Sequence, residues 1–177
     1  MKAYSAQQSS KTYRISAARC LEVRPLRKGK VEFFPNVAIV LLAFSSELGI
    51  KSLLMREAGP ERCDDKAIFG KTGAERHNLS SLFEKLVPEM RERIRAAVPA
   101  SEDVFDAQLA EIGTVYSDIR YIHERDGAYV ALDFLTLFTD AVQKQLDLPD
   151  PVIDPAVVEV QTARMLQEMG ARAWRRR

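Results

Sequence analysis

From Val31 to Glu57 the chain reads VEFFPNVAIVLLAFSSELGIKSLLMRE, and Val37 to Phe44 is apolar without a break. Charge returns only at Glu47 and Lys51. The unbroken run falls well short of the roughly 20 apolar residues that a bilayer-spanning helix needs. Gly49 and the flanking serines weaken a spanning reading further. What remains is a helix hydrophobic on most of its circumference, which only a bundle of neighbours can bury.

At about 100° per residue the side chains of this helix sort into faces. Ala38, Ser45, Gly49 and Ser52 form a narrow stripe of small residues along which another helix can approach closely. Such a stripe serves a homodimer contact or an intramolecular one. Nearly opposite lie Asn36, Val40, Ala43, Glu47, Lys51 and Leu54. Glu47 precedes Lys51 by one turn, the favourable order for an i,i+4 pair. With Val40, Ala43 and Leu54 as neighbours, the two charges sit either on an exposed edge or in a place where each must find a partner.

The rest of the chain is helical too. A weaker pattern runs from about Ser9 to Leu26 through Tyr13, Ala17, Cys20 and Leu21, with Pro25 and Gly29 as stops. Pro35 belongs in the first turn of the central helix, and Gly59-Pro60 closes it. Glu61 to Arg76 reads as a loop with at most one short turn. Asn78 is the natural N-cap for LSSLFEKLVPEMRERI, which Pro88 ends or kinks. Ser101-Glu102-Asp103 starts a helix that continues past Phe105, Leu109, Ile112, Tyr116 and Ile119. Beyond Gly127 the pattern resumes through Val130, Phe134, Leu135, Phe138 and Val142. No repeat, phosphate loop or β-hairpin signal accompanies it. The fold class is all-α, with four or five helices over 1–148 and a helical extension over 149–177.

That extension ends in Trp174 between arginines 172, 175, 176 and 177. A basic end of this kind reads as a frayed terminus or as a contact for phosphate and base. The formal net charge of +1 over 177 residues supplies no global attraction to nucleic acid. Cys20 and Cys63 lack metal-ligand spacing and fit a reducing compartment. The opening MKAYSAQQSSKTYR carries no apolar run of the signal-peptide type. The expectation is a cytoplasmic protein with no membrane contact, no metal and no cofactor.

A second constellation lies in the helix after Ser101. Counted along a continuous helix, His123 falls on the same stripe as Phe105, Leu109 and Ile112. Tyr116, Arg120, Tyr121 and Glu124 surround it. Ionisable groups on an apolar stripe must satisfy one another, or meet Glu47 and Lys51 across a helix interface. Histidines in such company are either satisfied core residues or parts of a functional site.

Four blocks in order resemble the HEPN (higher eukaryotes and prokaryotes nucleotide-binding) domain family. They are Glu47-Leu48-Gly49-Ile50-Lys51 in the central helix, His77-Asn78-Leu79 at a helix start, Arg120-Tyr121-Ile122-His123-Glu124, and the apolar helix from Val130. The resemblance covers roughly residues 4 to 146. It implies an up-and-down helical bundle, commonly a homodimer. It also implies an RNA or nucleotide ligand, with an antitoxin or nucleotidyltransferase partner in toxin–antitoxin or defence systems. Catalytic members of the family are metal-independent endoribonucleases in which four to six residues separate Arg from His. Here two residues separate Arg120 from His123.

The candidate catalytic set is therefore Arg120, His123 and Glu124, with His123 as base and Arg120 as the cation facing the phosphorane. The binding set is Glu47, Lys51, His77, Tyr116 and Tyr121. His77 doubles as reserve base or as a residue that fixes the turn before Asn78. The alternative reading is a non-catalytic helical interaction or dimerisation module whose polar cluster fixes helix register.

Overall fold

The computed structural model describes residues 3–25, 31–58, 69, 73–115 and 131–148. Seven helices and one short ladder account for them: α1 (Ala3–Leu21), β1 (Arg24–Pro25), β2 (Val31–Glu32), α2 (Pro35–Ala58), α3 (Gly73–His77), α4 (Leu79–Phe83), α5 (Pro88–Ala96), α6 (Glu102–Ile112) and α7 (Leu132–Asp147). The fold is all-α. The expected terminal helix in 155–172 and the basic end lie outside the described residues.

The central helix is α2, and it is buried on nearly every side. Against it α1 runs antiparallel: Ala3 meets Ser52, Ser10 meets Ser45, and Cys20 meets Phe34 through hydrogen bonds. Helix α7 runs parallel to α2, since Ser46 bonds Thr139 and Arg56 reaches the carbonyls of Leu146 and Leu148. Serines in a core need partners, and here they lace the helices together. Ser10 Oγ donates to Ser45 O at 2.6 Å, and Ser45 Oγ returns a bond to Ser10 O at 2.8 Å. Gln143 closes the seam on Ser45 Oγ at 3.1 Å.

The small-residue stripe is thus used within the chain. Gly49 shows why its size matters: a Cβ there would lie 2.6 Å from Val142 Cγ1 and 3.1 Å from Ser10 Oγ. The stripe is accounted for by α1 and α7, and a homodimer expectation retains only the family resemblance behind it.

On the far side of α2 the core is aromatic. Phe83, Phe105, Phe134 and Phe138 form a cluster with ring centroids 5.5–6.1 Å apart. Aromatic pairs at this spacing contribute about 0.5–1.5 kcal/mol each beyond area burial. They tie α4, α6 and α7 into one body.

Several boundaries differ from the sequence reading. Helix α1 begins at Ala3 rather than near Ser9, because its buried face is Ala6, Ser10 and Ala17, too small and polar to give an apolar rhythm. Arg24 and Pro25 pair antiparallel with Glu32 and Val31, although no strand was expected. Two-residue strands are too short to show alternation. Pro88 ends rather than kinks its helix, standing as the first residue of α5.

Helix α6 stops at Ile112 with Gly113 as its cap residue, and does not run on to Ile119. Gly113 is closely covered by α4: a Cβ would sit 2.9 Å from Ser80 Oγ, and Gly113 O accepts the Leu79 N–H at 3.0 Å. The helix that carries Phe105, Leu109 and Ile112 therefore ends well before His123, which lies outside the described residues. Helix α2 is 24 residues long and contains an 18-residue window of mean hydropathy 1.8, so by length and composition it could cross a membrane, contrary to the estimate from its unbroken run. Of that apolar window 72% is buried inside the fold.

Candidate functional site

One turn of α2 separates Glu47 from Lys51, so their side chains lie on the same face. Both are buried: the side chains are 5% and 11% exposed. Lys51 Nζ donates to Glu47 Oε1 at 2.6 Å. The exposed-edge reading of this pair is thereby replaced by burial, with His77 and Phe69 lying against the two charges. Phe69 is itself buried, and the Lys51 ammonium lies 5.3 Å from its ring centroid. A desolvated cation over an aromatic face gains electrostatic stabilisation from the ring quadrupole.

The third member is His77, the last residue of α3. Its Nδ1 lies 3.0 Å from Glu47 Oε1 and 3.1 Å from Oε2. A carboxylate is an acceptor only, so Nδ1 carries the proton in this contact. The His77 side chain is 42% exposed, against 5% for Glu47. The arrangement is a buried carboxylate that orients a half-exposed imidazole, the geometry by which an orienting acid fixes the tautomer of a general base.

Local sequence dictates where the imidazole stands. Asn78, at φ −85° and ψ 115°, is the N-cap of α4, and its Oδ1 accepts the Ser81 N–H at 2.8 Å. The Leu79 N–H is taken by Gly113 O. Both bonds lock the chain immediately after His77. Its position is set by the cap, and its direction by Glu47.

Burial lowers the Lys85 pKa, and the charge of Lys51 lowers it further, while Glu75 acts the other way. Lys51 and His77 bring two nitrogen groups onto one buried carboxylate, a poor cage for a metal. Among the described residues no group of three His, Cys, Asp or Glu side chains converges.

Of the residues singled out from sequence, Glu47, Lys51 and His77 come together here. Arg120, His123, Glu124, Tyr116 and Tyr121 lie outside the described residues, and with them the expected contact of Glu47 and Lys51 with Arg120 and Glu124. Phe69 and Lys85 were missed by the sequence reading. Neither belongs to a motif; Phe69 meets Lys51 only through the fold, and Lys85 feels the charge of Lys51. No family model, curated protein or solved structure matches the chain.

Proposed function

We propose that this is a HEPN-like protein of the cytoplasm that binds or acts on RNA or a nucleotide, as an effector or accessory subunit in a toxin–antitoxin or defence system. The observation that supports this reading best is the half-exposed His77 imidazole held by a buried Glu47–Lys51 pair. In this reading the chain works as a homodimer and meets an antitoxin or nucleotidyltransferase-like partner. The bundle is then the up-and-down HEPN type.

Where RNA is cleaved, no metal is needed. An imidazole takes the ribose 2′-hydroxyl proton, the 2′-oxygen attacks phosphorus, and the 5′-oxygen leaves with a proton. A cation stabilises the phosphorane charge. His77, held by Glu47, is the base in this reading; His123 and Arg120 are the pair that the family resemblance supplies.

A second reading is favoured by the way Glu47 is already satisfied. With Lys51 and His77 as its partners, the cluster is sufficient as a device that fixes how α3 docks on α2, in a non-catalytic interaction module. The two readings part on one experiment. Purified wild type, His77→Asn, His123→Ala and His123→Tyr are incubated with mixed cellular RNA, and both binding and fragment length are followed. The effector reading expects wild type to bind or shorten RNA and one histidine variant to lose this while staying folded. RNA left unbound and intact by the wild type overturns it in favour of the module.

A further inference from the structure

A groove of about 570 Å³ lies where α4, α5 and α6 meet. Its lining includes Ser80, Phe83, Arg91, Arg95, Asp106 and Leu109, and no residue of the Glu47 corner. The volume falls within the range usual for small-molecule sites, about 300–1,000 Å³.

Arg95 is a fixed wall of this groove. One of its terminal nitrogens donates to Asp106 Oδ1 at 2.8 Å and the other to Glu92 Oε1 at 3.2 Å. Its guanidinium lies 5.5 Å from the ring centroids of both Phe83 and Phe105. Arg91 stands one turn earlier on α5 and has none of this. Among the described residues it makes no ion pair, and its Nε, like that of Arg95, is buried without a hydrogen-bond partner. Like charges one turn apart repel. Arg95 is neutralised by two carboxylates, and Arg91 by none. Glu84 stands exposed at the rim without bonding to Arg91.

We propose that this groove binds a small anionic ligand through a phosphate or carboxylate group seated on the Arg91 guanidinium. The planar fork of arginine matches the oxygens of either group with two parallel bonds. Arg95, already clamped and neutralised by Asp106 and Glu92, supplies a rigid wall rather than a second fork. Glu84, also on the lining, tempers the charge of the groove. The proposal stands apart from the RNA reading, since none of its residues belongs to the Glu47 corner.

The test is calorimetric titration of the full chain with sodium phosphate and, separately, sodium malonate, at ionic strength held constant with sodium chloride. Saturable binding of one of them is expected, and the anion that binds identifies the group. Arg91→Gln weakens it by about tenfold or more, the loss typical of a charge-assisted hydrogen bond. Glu84→Gln tightens it, which keeps the test open should Arg91→Gln fold poorly. Neither anion binding above the chloride control, Arg91→Gln binding as wild type does, or Glu84→Gln leaving affinity unchanged overturns the proposal.

Discussion

Nδ1 of His77 and Oε1 of Glu47 lie 3.0 Å apart although 30 residues separate them in the chain. Lys51 holds the same oxygen from the other side at 2.6 Å. Glu47 is thus the only carboxylate that the buried Lys51 ammonium pairs with among the described residues. Glu47→Gln removes the counter-charge and leaves Lys51 buried; breaking such a pair costs about 3–5 kcal/mol. The expected result in urea denaturation is a large fall in midpoint with little change in slope. Replacing both, as Glu47→Leu with Lys51→Met, restores most of that stability, because an apolar pair of similar volume is often neutral or better.

Lys85 gives a pH prediction. Burial, aided by Lys51, places its folded pKa below the ordinary 10.5. A lysine with a depressed folded pKa binds fewer protons in the fold than in the unfolded chain, so its charged form is the destabilising one. Stability therefore rises as pH climbs through the folded pKa toward 10.5. At neutral pH Lys85→Gln is expected to be as stable as wild type or slightly more so. Wild type then gains on the variant in alkaline solution. Urea midpoints for both proteins across that range check the sign. The effect is small, because Lys85 is largely exposed and solvent screens it.

Asn78 links a helix cap to the candidate site. Asn78→Ala removes the acceptor of the Ser81 N–H and costs about 1 kcal/mol by the usual worth of an N-cap. Asn78→Asp keeps the acceptor and is expected to stay within a few tenths of wild type. Because the cap also anchors the residue after His77, the alanine variant should lower any RNA binding or cleavage further than its stability loss predicts. Melting curves and the RNA assay on the two variants, read together, separate those effects.

How much of this was legible in sequence varies from element to element. The burial of α2 was, because a run such as Val37 to Phe44 cannot remain exposed in water. The Asn78 cap was, since its chemistry is local. The stripe of Ala38, Ser45, Gly49 and Ser52 announced a close helix contact, but not whose. Helix α1, which fills it, has a buried face of alanine and serine that carries no hydrophobic rhythm. Charge on an apolar face demands a partner without naming it, and the segment around Arg120 that the sequence suggests lies outside the described residues. The contact with His77 depends on how α3 docks, a long-range outcome with no local signature. The break at Gly113 was missed for a related reason. The apolar spacing of α6 continues in the sequence past the point where packing of α4 requires a glycine.

Gly49 allows the stripe itself to be tested. Two effects of Gly49→Ala oppose each other. Alanine favours a helix interior over glycine by about 1 kcal/mol. Against this, its methyl would lie 2.6 Å from Val142 Cγ1, on a β-branched side chain with little freedom to turn, and 3.1 Å from Ser10 Oγ, which is committed to Ser45. Overpacking of a tight core costs about 1–3 kcal/mol, so the clash wins and the variant is destabilised by a net amount of about 1 kcal/mol. Gly49→Leu, with nowhere to place its branch, should fail to bring α1, α2 and α7 together at all. If the stripe belonged to a contact between copies, loss of stability would depend on protein concentration and sedimentation would show a change in assembly. The intramolecular contact instead predicts that Gly49→Ala shifts the denaturation midpoint by the same amount at low and high protein concentration, with the sedimentation coefficient unchanged.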